Sequence, residues 1–191
     1  MDLLSARLLF DKFKKKSFVS SMCNRKGGDS LLYRHRMRAA GILVNEEKKI
    51  LLIHHRHPRR KYEWLSPPGG GVDEGETIFE AAEREMLEEC HLQCRADKLL
   101  YVVEWLDDIR KIHHLELYIQ VTYVGGTLQI GKDPEVTEGE QMILDCFFMS
   151  EEEIRAATLP VYPGILHHQF WRDYEKGFSS HQVYLGREVE I

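Results

Sequence analysis

Residues 70–92, GGVDEGETIFEAAEREMLEECHL, leave the chain few ways to fold. Glycines 69–71 come first, then Thr77 and Glu80 at the spacing of a capping box. From there Phe79, Met86 and Cys90, with Ala82 at the edge, recur on one side of a helix running to Cys90. Glu85, Glu88 and Glu89 stand at i, i+3 and i+4, so at about 100° per residue they share one arc. Like charges so spaced repel by roughly a few tenths of a kcal/mol per pair. A solvated acidic face is one explanation. The glycine-rich loop directly before the helix favours another: a divalent cation among oxygen ligands, facing a phosphate.

The same segment resembles the Nudix box, Gly-x5-Glu-x7-Arg-Glu-U-x-Glu-Glu-x-Gly-U, with U a bulky apolar residue. Here it reads Gly70, Glu76, Arg84, Glu85, Met86, Glu88, Glu89, His91 and Leu92, and only His91 departs, where the family has glycine. Glycine at a helix end usually supplies a left-handed residue. Histidine enters that region at modest cost, so a slightly weaker helix end is expected rather than lost chemistry. The likeness extends more loosely from about Met37 to the C-terminus. It implies an α/β fold: an α/β/α sandwich with a mixed β-sheet and a catalytic loop–helix–loop. The domain expectation follows, with a basic N-terminal extension over residues 1–36 and a Nudix hydrolase domain over 37–191.

The resemblance also implies roles. Metal ligands map onto Glu85, Glu88, Glu89 and the Gly70 carbonyl, with Mg²⁺ or Mn²⁺ as cofactor. Gly70, Glu76 and Arg84 form the structural part of the box, the Arg84 fork pairing with Glu76 to tie loop to helix. The general base is either a box glutamate or a carboxylate from a loop before a late strand. Glu140 suits that loop position, with Glu135 and Glu138 as neighbours.

Composition narrows the classes further. The 191 residues are 43% hydrophobic and 30% charged, ordinary for a globular domain, and no apolar run is long enough to span a membrane. There is no secretory h-region with a cleavage site. Four cysteines lack disulfide-framework spacing, which favours a reducing, cytoplasmic location; Cys90, His91 and Cys94 lack a fourth ligand for zinc. The net charge of −5 hides an asymmetry, because residues 1–38 hold ten Lys and Arg against three Asp. A flexible tail explains this, as does an arm binding membrane or nucleic acid. Leu3, Ala6, Leu9, Phe10 and Phe13 suggest an amphipathic helix there. Met22 and Met37 are alternative starts.

Elsewhere, residues 37–44 and 49–55 read as a β-hairpin, 62–65 as a short strand, and 67–71 as a stop to regular structure. Long strands are expected at 99–105 and 114–123, and another hairpin from Gly125-Gly126 toward Leu128. A strand at 142–149 and a short capped helix at 151–157 (Ser150 with Glu153) come next, followed by a helix at 162–176 and a closing strand near Val183. His54–Lys61 is a basic run from which Arg56 is the candidate for a phosphate or ribose, while Tyr62 and Trp64 are candidates for stacking a base. Trp105 and Tyr118 fit base stacking or core packing.

The function expected is metal-dependent hydrolysis of a pyrophosphate bond in a nucleoside diphosphate linked to X, by water attack on phosphorus. Nucleoside triphosphates, ADP-ribose and related nucleotides remain as substrates. The family's substrate signatures fall at Asp107-Asp108-Ile109, which shows neither the proline nor the tyrosine that marks a subclass. Alternatives are a non-catalytic nucleotide or ADP-ribose sensor and an RNA cap pyrophosphohydrolase. The partner expected is a small nucleotide; nucleic acid contact through the basic arm and homodimerisation are left open. If the arm guides RNA, binding falls steeply with salt and the slope is lost on deleting residues 1–36, as a salt titration will read.

Overall fold

The structure, a computed structural model, describes residues 32–57, 62–131 and 142–187. The expected N-terminal helix, the basic Arg59–Lys61, and Glu135, Glu138 and Glu140 lie outside them. Among the described residues, eight strands form two sheets. β1 (Arg34–Ile42), β4 (Gly69–Gly71), β5 (Leu92–Asp107), β6 (Ile112–Gly126) and β8 (Tyr184–Arg187) make the larger, in the order β4-β1-β6-β5-β8. It is mixed: β1 runs parallel to β6 and β5 to β8, while the other pairs are antiparallel. β2 (Ile50–Arg56), β3 (Glu63–Ser66) and β7 (Ile143–Met149) make an antiparallel sheet ordered β3-β2-β7. Helix α1 (Ile78–Cys90) covers one side; α2 (Glu151–Arg155), a 3₁₀ turn (Gly164–His167) and α3 (Gln169–Glu175) cover the other.

Alternation along the strands builds a core on each side. Ala39, Leu51, Ile53, Leu117 and Ile119 meet Ala81, Ala82, Met86 and Cys90 of α1. Their neighbours Ala40, Ile50, Leu52 and Tyr118 meet Leu166, Phe170 and Trp171. This is the expected α/β/α sandwich. Among the described residues no helix is long and apolar enough to cross a membrane.

Several local expectations need correction. The turn at Asn45–Lys49 forms, closed by Asn45 N–H to Lys49 O at 2.9 Å, and the expected antiparallel pairing continues through Val44 and Ile50 and from Leu51 N–H to Leu43 O at 3.0 Å, but beyond it the strands part into different sheets. β1 finds a longer parallel partner in β6, and β2 an antiparallel one in β7. The glycines after Pro68 do not end regular structure but form β4, paired with Arg38–Ala40 of β1. Only glycine permits this approach, since a Cβ at Gly69 would lie 2.6 Å from the Ala40 Cα and one at Gly70 would overlap the Glu85 carboxylate. Among the described residues no hairpin follows Gly126; instead Gln129 and Gly131 donate backbone N–H groups to the Cys90 and Glu89 carbonyls at 3.2 and 2.8 Å, capping the end of α1. The helix expected over 162–176 breaks at His168, with φ −154°.

Helix α1 follows its sequence closely. Thr77 caps it with both capping-box bonds made, and His91 ends it in the left-handed conformation at φ 55°. Replacing Gly69 by alanine should cost about 1–3 kcal/mol, the usual penalty of forced overpacking, read as a lower urea midpoint with an unchanged slope.

Candidate active site

Arg84 gathers the acidic residues of the box. Its Nε and Nη2 donate to the two oxygens of Glu76 at 2.9 and 3.0 Å, a bidentate pair joining the loop to α1. Nη1 donates to Glu85 at 2.6 Å and Glu88 at 3.2 Å, and Nη2 also reaches the Gly71 carbonyl at 2.9 Å. Glu89 accepts from the Gly69 backbone N–H at 2.7 Å. Glu85 and Glu89 are only 8% and 7% exposed. Burial raises the Glu85 pKa, opposed by Arg84, whereas the Arg84 hydrogen bonds hold Glu76 below its usual value.

Glu85, Glu88, Glu89 and Gly70 thus lie together, yet no three acidic, imidazole or thiol groups among the described residues converge as they would around a metal ion. Glu85 and Glu88 turn to Arg84, and Glu89 to Gly69. The donor chemistry still fits a hard divalent cation, being all oxygen and including two buried carboxylates whose charge such an ion would offset. Holding one requires Glu85 and Glu88 to rotate away from the guanidinium.

A second charged group faces this cluster from β1. Arg38 donates to the Pro67 carbonyl at 3.1 Å and lies 3.6 Å from Glu116, and the negative charge of Glu85 and Glu89 also acts on it. Glu116 accepts from Trp105 Nε1 at 3.0 Å and from the Tyr118 hydroxyl at 2.6 Å. Burial alone would raise its pKa, but Arg38 and then these two donors more than offset it, so Glu116 stays a carboxylate. Sequence reading missed Arg38 and Glu116. The alternation of Arg34, Arg36 and Arg38 was visible, but the partner stands across a parallel pairing that connects distant segments.

The expected binding residues divide. Tyr62 and Trp64 come together, ring centroids 5.6 Å apart, and Trp64 stacks on His55 at 5.1 Å. Arg56 is taken up by Glu63, at 2.8 Å from its Nε. His55 is 7% exposed, and its Nε2 has no hydrogen-bond partner among the described residues. Burial, then Arg38, lower its pKa to about 3, so the ring is neutral. Trp105 and Tyr118 serve the Glu116 network rather than an open stacking face.

A family model for the NUDIX domain matches residues 34–168. An ADP-ribose pyrophosphatase of Methanocaldococcus jannaschii is 33% identical over 107 residues, 56% of this chain and 63% of that protein. The 8-oxo-dGDP phosphatase NUDT18 of Mus musculus is 27% identical over 126 residues, 63% of this chain and 37% of that protein. The chain therefore spans less than two thirds of the length of both relatives. Among solved structures, a Nudix hydrolase from Nitrosomonas europaea superposes with a TM-score of 0.61 at 23% identity, covering 75% of this chain and 90% of its own. A UDP-X diphosphatase gives 0.57 at 15% identity, covering 98% and 76%. At these identities the superpositions speak to the fold alone.

Because His55 has a lowered pKa in the folded chain, the stability tied to its neutral ring is complete above the ordinary value of 6.5 and lost as pH falls toward about 3. His55→Phe keeps a ring against Trp64 and should lose up to about 1.4 kcal/mol less stability per pH unit across that window than the native chain, measured by urea unfolding at stepped pH.

Proposed function

From the premise that the chain belongs to the Nudix family, we propose that it hydrolyses the pyrophosphate bond of a nucleoside diphosphate linked to X, with a divalent metal, by attack of water on phosphorus. The observation that carries this reading is the gathering of Glu85 and Glu88 on Arg84 and of Glu89 on the Gly69 N–H, beside glycines 69–71, with Glu85 and Glu89 within the electrostatic reach of Arg38. The relatives named for ADP-ribose and 8-oxo-dGDP support this substrate class, both compounds being nucleoside diphosphates or derivatives of one.

Glu85, Glu88, Glu89 and the Gly70 carbonyl would hold Mg²⁺ or Mn²⁺. When bound, the cation supplies neutralisation of the diphosphate and a lowered pKa for attacking water. The chain's own groups do the rest. Arg38, fixed by Pro67 and Glu116, places a permanent positive charge near the phosphates. Tyr62 and Trp64 offer the base a stacking surface. Glu140 is the proposed general base, taking the proton of the attacking water. The segment bearing it leaves from Gly131, whose N–H donates to the Glu89 carbonyl, and returns at Met142, whose carbonyl accepts from Arg56. Free thiols at Cys90, Cys94 and Cys146 suit a cytoplasmic place of action.

The test is a nucleotide panel with Mg²⁺ and mass-spectrometric identification of products. Two phosphorylated products are expected, with turnover falling about 100-fold or more in Glu89→Gln. Tight ADP-ribose binding without cleavage would make the protein a sensor and overturn the hydrolase reading.

A further inference from the structure

One face of the larger sheet changes character row by row. Ala40, Tyr118 and Tyr101 stand side by side in the core. The next row holds Arg38, Glu116 and Val103, and the next Arg36, His114 and Trp105. Successive rows lie about 7 Å apart along the strands.

His114 in the third of these rows is 4% exposed, and neither ring nitrogen has a hydrogen-bond partner among the described residues. Its ring lies flat on Trp105, centroids 3.8 Å apart and planes 4° from parallel, and the indole is fixed in turn by Glu116. A buried imidazole with both nitrogens unpaired is costly, and the cost calls for a ligand. Arg36 is the neighbour on the β1 side. It is exposed, has no ion-pair partner among the described residues, and places Nη2 3.9 Å from where a Cβ on Gly71 would stand. Its guanidinium therefore reaches the glycine loop of the box.

His114 presents a neutral ring beside the Arg36 guanidinium. Burial, then the charge of Arg36, disfavour the protonated ring; Glu116 and Asp107 favour it, and Arg110 opposes it. An anion between the two would accept from the guanidinium and from a ring N–H together. A neutral sugar hydroxyl leaves the guanidinium charge unmatched.

We propose that Arg36 and His114, with Trp105 stacked behind the imidazole, form a subsite for a phosphoryl group carried by X, so that the chain prefers nucleotides whose X is anionic to those whose X is a neutral sugar. This rests on the hydrolase reading for the position of the diphosphate, held at Glu85–Glu89 and Arg38 one row away. Exposed and unpaired, Arg36 is the side chain that rearranges to admit the group.

The test is equilibrium binding to the full chain with Mg²⁺ present, using α,β-methylene adenosine triphosphate and α,β-methylene ADP-ribose. A carbon bridge replaces the oxygen to be cleaved, so affinity is read without turnover. The native chain should bind the triphosphate analogue about tenfold more tightly, the ratio that one charge-assisted hydrogen bond supplies. Arg36→Ala and His114→Phe, which keeps the stack on Trp105, should each reduce that ratio to about twofold or less, while Arg36→Lys restores part of it. Equal affinities in the native chain, an unchanged ratio in both variants, an equal loss on both ligands, or no binding of either analogue would each overturn the subsite. Failure of the hydrolase reading shows separately, as a preserved preference for the triphosphate analogue with no turnover of the natural nucleotides.

Discussion

The guanidinium of Arg84 is the group on which the candidate site depends. It binds Glu76, Glu85, Glu88 and the Gly71 carbonyl at once, drawing on donors that sit in a rigid plane and on a charge that cannot be given up. Glu76 and Gly71 belong to the loop, while Glu85 and Glu88 belong to α1. One side chain thus fixes the angle at which loop meets helix. Its positive charge offsets these closely spaced acids, and a divalent ion would compete with it for Glu85 and Glu88.

Glycine geometry works with this arrangement. β4 lies against β1 because Gly69 has no side chain to meet the Ala39–Ala40 backbone, and Gly70 leaves room for the Glu85 carboxylate. Placed there, Gly69 offers its N–H to Glu89. Two of the three box glutamates are therefore positioned by loop backbone as well as by the helix that bears them.

The strands of the larger sheet outrun the core. On one face of the larger sheet, apolar Ala40 and aromatic Tyr101 and Tyr118 give way within two residues to Arg38 and Glu116, then to Arg36 and His114. Charges so little exposed are tolerable only in pairs, and Glu116 has two hydrogen-bond donors and the Arg38 charge around it. His55 and His114 are the exceptions, with nitrogens left unpaired among the described residues.

What could be read without coordinates was local. The capping box at Thr77 and Glu80, the helix end at Cys90, the left-handed His91 and the clustering of Glu85, Glu88 and Glu89 follow from spacing within a few turns, where backbone geometry leaves one outcome. Other features depend on partners far along the chain. A turn at Asn45–Lys49 implies a hairpin until β6 and β7 take its two strands into separate sheets. Gly69–Gly71 reads as a break until Ala39 and Ala40 pack beside it. Arg38 meets Glu116, and Arg56 meets Glu63, through pairings that no periodicity encodes. Short-range spacing determined the helix and its acids, because torsion and hydrogen bonding there involve near neighbours only. Tertiary structure alone decided which charges were matched and which rings were buried without partners, because that depends on strand registers chosen by the whole core.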